Sequence, residues 1–201
     1  MRHDGHHGSA TSILSEEQSK IADHLFVVTG GPGSGKSSLV EALATEGLRH
    51  MPEAGRAIIR DQVAIGGTAL PWADRTAFAE LMLGWEMRSY REARELPGPT
   101  VLDRGIPDVI GYLQVCGLPI PTHVWKAAEL CRYNRRVFIA PYWPEIFTQD
   151  TERKQASAEA EATCRAMVEV YAALGYELLP LPLAPVSERV RFVCSHLEQT
   201  R

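Results

Sequence analysis

Residues 30–37 read Gly-Gly-Pro-Gly-Ser-Gly-Lys-Ser, and the apolar run Leu25-Phe26-Val27-Val28 lies directly before them. This octet has the spacing G-x-x-x-x-G-K-[ST] of a phosphate-binding loop between a strand and a helix. Its glycines permit a tight turn in which backbone N–H groups converge on an anion. Apolar residues 39, 40 and 43 then predict a helix that Gly47 ends, and the positive end of its dipole would face the same anion.

Each residue type in this loop has a separate role in nucleotide binding. Lys36 reaches the terminal phosphates, and the Ser37 hydroxyl faces Mg²⁺. Average residue usage predicts a chance match in roughly one of a hundred unrelated chains of this length. The flanking strand and helix make chance rarer still, so nucleotide binding is the leading hypothesis. The predicted binding residues are Gly31, Pro32, Gly33, Ser34, Gly35, Lys36, Ser37 and Ser38.

The size and composition of the chain limit its other functions. Its 201 residues, 45% of them hydrophobic, suit one domain with a substantial core. A net charge of -4 without a Lys/Arg-rich block predicts small-molecule or protein partners and no nucleic-acid surface. No apolar stretch reaches the roughly 20 residues that cross a bilayer. We therefore expect no membrane partner and a cytoplasmic location. A ring-forming motor would need more chain for an additional helical domain, so we expect a monomer or homodimer.

The cysteines and the N-terminal segment predict neither a metal site nor a disulfide framework. Residues 1–20 are rich in Gly, Ser, His and charge, which predicts a flexible tail before a single domain at 21–201. The cysteines are widely spaced with no C-x-x-C pair, so reduced packing thiols are the simpler interpretation. They are Cys116, Cys131, Cys164 and Cys194.

Strand and helix patterns alternate along the rest of the chain. After the first strand and helix, apolar runs predict strands at 48–51, 100–103, 137–140 and 177–181. Helical periodicity predicts helices at 54–64, 73–94, 108–115, 122–133, 150–174 and 186–197. This order predicts an α/β fold, in which right-handed βαβ units form a parallel sheet with helices on both faces.

An acid and an arginine follow the predicted strand at 100–103. Asp103 ends that strand, where P-loop proteins place the acid that holds Mg²⁺, although a terminal Asp can equally cap the next turn. Because a phosphate-binding loop lies upstream, the metal role is favoured. The Arg104 guanidinium can hold a phosphate through two N–H groups, or form a surface ion pair with Asp108.

Glu53 follows the strand predicted at 48–51, so we expect it at the same edge of the sheet. There its carboxylate can accept the proton of an attacking hydroxyl or hydrogen-bond a substrate. It can equally open the next helix, where acids are favourable. The sequence leaves these roles open.

Two cations begin the helix predicted at 150–174. Arg153 and Lys154 lie close to Asp150 and Glu152. In a phosphoryl-transfer enzyme, mobile cations of this kind close over the phosphates, neutralise developing charge and exclude water. The alternative is a solvated helix end with local ion pairs.

Together these motifs resemble a bacterial family of AAA-type predicted ATPases. That family is similar to nicotinamide-riboside kinases and, more distantly, to deoxynucleoside and nucleoside monophosphate kinases. The resemblance rests on the loop at 30–37, Pro52-Glu53, and the segments 102–108, 142–145 and 150–153. It implies a three-layer P-loop NTPase fold with a five-stranded parallel sheet, in the kinase-like order 2-3-1-4-5, and a helical lid around Arg153.

The resemblance also implies roles for single residues. In deoxynucleoside kinases, a Glu-Pro after the second strand supplies the base, and an acid-Arg pair follows the third strand. Glu53 is similar to that base and Asp103-Arg104 to that pair, although the local order here is Pro-Glu-Ala and Gly105 replaces the usual Ser or Tyr. The segment 183–186 resembles the loop that touches adenine in related kinases, which favours ATP by analogy.

Two functions are consistent with this sequence. The first is an ATP-dependent phosphotransferase that uses Mg²⁺ and acts on a small hydroxyl-bearing or phosphorylated metabolite, such as a nucleoside. The second is a nucleotide-state switch or binding module whose slow hydrolysis regulates a protein partner. The predicted catalytic residues are Lys36, Glu53, Asp103, Arg104 and Arg153, and the predicted metal ligands are Ser37 and Asp103.

Overall fold

Strands and helices alternate along the chain, as the periodicity predicts. The computed structural model describes residues 22–146 and 157–198, so the predicted tail at 1–20 and Arg153 with its lid lie outside the described residues. The strands are β1 (Leu25–Gly30), β2 (Arg49–Met51), β3 (Thr100–Asp103), β4 (Arg136–Ala140) and β5 (Glu177–Pro180). The helices are α1 (Lys36–Thr45), α2 (Ala54–Ile65), α3 (Arg75–Arg94), α4 (Ile106–Val115), α5 (Thr122–Leu130), α6 (Ser157–Ala173) and α7 (Val186–Glu198).

The strands form one five-stranded parallel sheet in the order β2-β3-β1-β4-β5. The central strand β1 pairs with β3 on one side and β4 on the other, so that Val28 lies opposite both Asp103 and Phe138. This confirms the α/β class and the predicted order 2-3-1-4-5. Because the strands are parallel, their carboxyl ends meet at one edge, where ligands bind in folds of this kind.

Alternation along β1 divides the core into two apolar layers. Phe26 and Val28 pack with residues of α1 and α7 on one face of the sheet. Leu25 and Val27 pack with residues of α3 and α6 on the other. These four side chains are at most 1% exposed, and burying each contributes about 1.5–3 kcal/mol. The loop that follows β1 is therefore anchored at the centre of the domain.

Among the helix boundaries that differ from their predicted positions, two have a clear structural reason. α4 begins at Ile106 rather than at Asp108, because Gly105 is extended and a proline, favoured in a first helical turn, follows at the second position. α5 ends at Leu130 rather than at Tyr133. The Tyr133 ring is buried in the core, where its hydroxyl accepts a hydrogen bond from the Ile106 N–H at 3.2 Å. Within the described ranges, no helix combines the length and apolarity needed to cross a bilayer.

Gly30 occupies a position where the sheet leaves no room for a side chain. Its φ is 133°, and a Cβ built on it would lie 2.3 Å from the carbonyl oxygen of Ala140 on β4. We expect Gly30→Ala to lower the free energy of unfolding by about 3 kcal/mol, because it adds backbone strain to a steric clash. Denaturant unfolding measures this change.

The matched control is Gly84→Ala, inside α3, where nothing lies within 4 Å of the added Cβ. We expect this variant to be more stable by about 0.5–1 kcal/mol, because alanine favours a helix interior over glycine. Equal stability of the two variants would contradict the close approach of β1 and β4 at Gly30.

Candidate active site

The loop between β1 and α1 is closely packed on its inner side. Gly33 and Gly35 have φ of 69° and 75°, a left-handed conformation that glycine adopts without strain. A Cβ on Gly31 would lie 2.4 Å from the carbonyl oxygen of Ala160 in α6. The glycines are therefore required by backbone conformation at two positions and by a close approach at a third.

Lys36 begins α1 and folds back over the loop. Its Nζ donates to the carbonyl oxygen of Gly31 at 2.6 Å and to Ser34 Oγ at 3.2 Å. Ser34 Oγ also donates to the Gly31 carbonyl, at 2.8 Å, and both side chains are buried. The ammonium is thus held at the loop, where it can form a charge-assisted bond to a phosphate oxygen.

Asp103 lies next to the loop, at the end of β3. Its side chain is buried, and within the described residues its Oδ1 has no hydrogen-bond partner. Burial raises the pKa of Asp103, while the charges of Lys36 and Arg104 oppose that rise. An unpartnered buried carboxylate oxygen costs free energy that a bound cation offsets. Carboxylate oxygens are also the donor type that a magnesium ion prefers.

Arg104 connects three parts of the site. Its φ is 80°, which is uncommon outside glycine. In this conformation Nε donates to Glu53 Oε1 at 3.1 Å, and Nη1 donates to the Gly30 carbonyl at 3.0 Å and to Asp108 Oδ1 at 2.8 Å. The pair with Asp108 is not on the surface, since only 12% and 7% of the two side chains are exposed. Burial opposes the charge of Arg104, but Asp108 and Asp103 raise its pKa.

Glu53 lies between two arginines at the start of α2. Its Oε1 accepts from Arg104, and its Oε2 accepts from Arg56 Nε at 3.2 Å. Glu53 has the N-cap position of α2, but its side chain makes no capping hydrogen bond. The two guanidinium groups therefore hold a carboxylate that is only 8% exposed in one orientation.

Two cavities adjoin this carboxylate, and Pro32 and Glu53 line both of them. The first cavity has a volume of about 340 Å³, and the second about 290 Å³. The first is lined by the loop residues 32–38 together with Arg56, Trp143, Ile146, residues 184–186 and Arg189. The walls of the second include Ile59, Trp72, Phe78, Met82, Glu86, Arg104, Asp108, Tyr112 and Met167. The structure therefore brings the loop, Glu53 and Arg104 together around these cavities. Asp103, at the end of β3, interacts electrostatically with Lys36 and Arg104 but is not among the described residues that line either cavity.

Asp108 is a residue of this site that the sequence analysis mentioned only as a surface partner of Arg104. It is buried, and it accepts hydrogen bonds from Thr29 Oγ1 and from the Tyr171 hydroxyl, both at 2.7 Å, and from the Gly105 N–H at 3.1 Å. The sequence gives one indication that Asp108 is buried, which is its position directly after a proline in an otherwise apolar helix. That signal is weak, because acids are common in first helical turns.

Two further buried ionisable groups were not predicted, Glu86 on α3 and Arg189 on α7. Arg189 donates from Nη1 to the Ser34 carbonyl at 2.8 Å and from Nε to the Pro182 carbonyl at 2.9 Å, and it lies 5.1 Å from the centre of the Trp143 ring. Each lies in a helix with many charged residues, so no local pattern distinguishes it from a solvated side chain.

Comparisons with solved structures support the fold. Deoxyadenosine kinase from M. mycoides with bound dATP has a TM-score of 0.64 at 13% identity, over 87% of this chain and 99% of that chain. A second structure of this kinase, with products dCMP and a flexible dCDP bound, has a TM-score of 0.61 at 11% identity, with the same coverage. The NadR protein in complex with NR has a TM-score of 0.66 at 15% identity. This match covers 94% of this chain but only 52% of NadR, so the chain spans about half the length of NadR.

The sequence comparisons identify the family. A search of the curated proteins found no significant match. Residues 25–189 match a family model described as an AAA domain, and this range runs from β1 to Arg189 on α7. With its P-loop and its kinase-like sheet order, the chain belongs to this AAA-domain family.

Proposed function

We propose that this protein transfers the γ-phosphoryl group of Mg-ATP to a hydroxyl group of a small acceptor. The observation that carries the proposal is the position of Glu53, which lines both the cavity along the phosphate-binding loop and the cavity between α2, α3, α4 and α6. Transfer between two bound molecules needs a proton acceptor where they meet. A hydrolytic switch needs only the first of these cavities.

The nucleotide occupies the cavity along the loop. Lys36 and the backbone N–H groups of the loop hold its β- and γ-phosphates, in the manner of P-loop proteins. The same cavity is also lined by Trp143, which follows β4, and by residues 184–186, which follow β5. ATP is supported by the kinase and NadR structures, which were solved with dATP and with AMP-PNP.

Ser37 and Asp103 would hold the magnesium ion that accompanies the nucleotide. Asp103 Oδ1, which has no hydrogen-bond partner within the described part of the chain, is an oxygen donor that such an ion would satisfy. No cluster of three or more His, Cys, Asp or Glu able to hold a metal occurs in the described part of the chain. Phosphate and water oxygens would therefore complete the ligand set. When bound, the ion neutralises negative charge on the phosphates.

Glu53 accepts the proton of the acceptor hydroxyl while the hydroxyl oxygen attacks the γ-phosphorus. The bond from the γ-phosphorus to the bridging oxygen breaks, and ADP leaves. Arg104, held by Asp108 and by the Gly30 carbonyl, places positive charge beside the migrating phosphoryl group. Arg153, which lies outside the described residues, is the second cation proposed to stabilise that charge.

An acceptor screen tests the proposed transfer. The protein is incubated with Mg-ATP and a panel of nucleosides, nucleotides and vitamins, and ADP release and phosphorylated product are measured. We expect an acceptor to accelerate ADP release and to appear as its phosphate ester. If ATP binds but no acceptor accelerates its turnover, the alternative of a nucleotide-state switch acting on a protein partner is favoured.

Arg189 is expected to contribute to nucleotide binding. It is 1% exposed and lines the nucleotide cavity, and its Nη2 has no partner among the residues described. We expect Arg189→Lys to weaken Mg-ATP binding about tenfold, because a charge-assisted hydrogen bond contributes about 1.5–3 kcal/mol. Arg191→Lys, at an exposed position of the same helix, is the matched control. The Kd for Mg-ATP is measured by calorimetry. If it is equal in both variants and the parent, a contact between Arg189 and the nucleotide is excluded.

A further inference from the structure

The cavity beyond Glu53 contains a buried carboxyl group that the proposed transfer does not use. Glu86 lies on α3, is 5% exposed and lines this cavity. It forms no hydrogen bond and no ion pair with any residue that the structure describes. Glu53 and Asp108 line the same cavity, but both are bonded to Arg104. Glu86 is therefore a polar group that faces the cavity outside this network.

A buried carboxyl group without a protein partner is rare, because its desolvation is not offset by a hydrogen bond. Burial, with added repulsion from Asp108 and Asp103 and against the opposing charge of Arg104, raises the pKa of Glu86 well above its usual value and so favours the neutral acid. A neutral carboxyl group presents one O–H donor beside one carbonyl acceptor. Its hydrogen-bonding pattern is therefore complementary to an amide edge, in which an acceptor and an N–H donor lie side by side.

The charges around the cavity disfavour a phosphate near Glu86. Arg104 bonds Glu53 and Asp108 and, in the proposed transfer, stabilises the migrating phosphoryl group, so it is already engaged before a second phosphate could bind near Glu86. A phosphate there would lie among like charges, which repel it. Besides Glu86, whose neutral form is favoured, the acidic lining residues are Glu53, Asp108 and Glu159, and the basic ones are Arg75 and Arg104.

The remaining wall favours a flat ring. The rings of Phe78 and Tyr112 form a T-shaped pair, with ring centres 5.5 Å apart. The side chains of Met82 and Met167 also line the cavity. Aromatic and thioether groups make favourable contacts with planar rings.

We propose that Glu86 recognises the phosphoryl acceptor by paired hydrogen bonds to a carboxamide or to an amide-like edge of a ring. The inference rests on the proposed function, because it places the acceptor in the cavity beyond Glu53. The hydroxyl that receives the phosphoryl group then lies at Glu53, and the ring edge lies at Glu86. The acceptor class is a hydroxyl compound that carries such a planar group and no phosphate beside it.

Two substitutions separate hydrogen bonding from packing at this position. Glu86→Gln retains an acceptor and a donor, whereas Glu86→Leu has neither. The probes are nicotinamide riboside, adenosine, cytidine and uridine, each titrated by calorimetry into the full chain with Mg-AMP-PNP present. Ribose, which has hydroxyl groups but no ring edge of this kind, is the control ligand.

We expect at least one probe to bind the parent and Glu86→Gln with Kd values within about threefold, and Glu86→Leu at least about tenfold more weakly. Ribose should not distinguish the three proteins. The proposal is overturned if no probe binds the parent, or if Glu86→Leu binds every probe as tightly as the parent does.

Thermal unfolding serves as the folding control. We expect Glu86→Leu to melt no lower than the parent, because it removes a buried polar group that has no partner in the described ranges. Glu86→Met is titrated in the same way if the leucine variant does not fold.

Transfer assays distinguish a failure of this inference from a failure of the proposed function. If the probes bind as expected but no phosphorylated product forms, recognition by Glu86 is supported and the proposed transfer is overturned. If Glu86→Leu forms phosphorylated product with the parent's KM for the acceptor, the proposed transfer is supported and recognition by Glu86 is overturned. A raised KM with a nearly unchanged kcat is the kinetic signature expected of a residue that only binds the acceptor.

Discussion

Glu53→Gln is expected to lower kcat for phosphoryl transfer about 10²–10⁴-fold, the usual contribution of a general base. Its carboxylate lines both cavities, and Arg104 and Arg56 hold it in place. Glutamine has the same shape and can still accept a hydrogen bond from Arg104, but it cannot take up the acceptor proton. The Kd for Mg-ATP should stay nearly unchanged. A coupled assay of ADP release gives kcat, and calorimetry gives Kd.

Two control variants make this result specific. Glu80→Gln removes an exposed carboxylate, paired with His123 at 2.9 Å, and should leave transfer unaffected. Glu53→Asp keeps a proton acceptor on a shorter side chain and should recover part of the lost rate. If Glu53→Gln retained the parent's transfer rate, Glu53 would be excluded as the base.

Lys36→Ala is expected to lower kcat/KM for Mg-ATP about 10²–10³-fold, the effect of losing one preorganised donor to a charged transition state. The substitution removes the ammonium and leaves the Gly31 carbonyl and Ser34 Oγ without their bonds to it. Both the phosphate contact and the shape of the loop are then affected. Steady-state kinetics and a nucleotide titration measure the two effects.

The control for Lys36→Ala is Lys126→Ala, an exposed lysine on α5. It changes the net charge equally and should not alter kcat/KM. An unchanged nucleotide Kd in Lys36→Ala would contradict the assignment of the loop as the phosphate site. A kinase and a nucleotide-state switch would both lose activity in this variant, so Lys36 tests the nucleotide site and Glu53 tests the transfer.

Most secondary structure could be predicted from local pattern. The strand at 100–103 was predicted with the bounds that the structure has, because four consecutive residues, Thr100–Asp103, are buried between flanking turns. The helix predicted at 122–133 is too long, because the Tyr133 ring is buried in the core and its hydroxyl accepts a hydrogen bond from the Ile106 N–H. A helical pattern cannot register such a contact, because the partner is remote in sequence.

The order of the strands came from the resemblance to kinases, not from periodicity. Periodicity identifies a buried strand, but it carries no information on which strand pairs with which. The position of β1 between β3 and β4 depends on contacts such as that of Gly30 with Ala140. A single missing side chain there permits the close approach.

The sequence by itself determined where the phosphate-binding loop lies and that Glu53, Asp103 and Arg104 share its edge of the sheet, because loop spacing and strand ends are local properties. Only the tertiary structure decided how those charges are held. Asp108 is bonded to Thr29 across 79 residues, and Arg189 to Ser34 across 155. The partner that satisfies a buried polar group, or the lack of a partner at Glu86 among the residues described, is not encoded in the neighbours of that group along the chain.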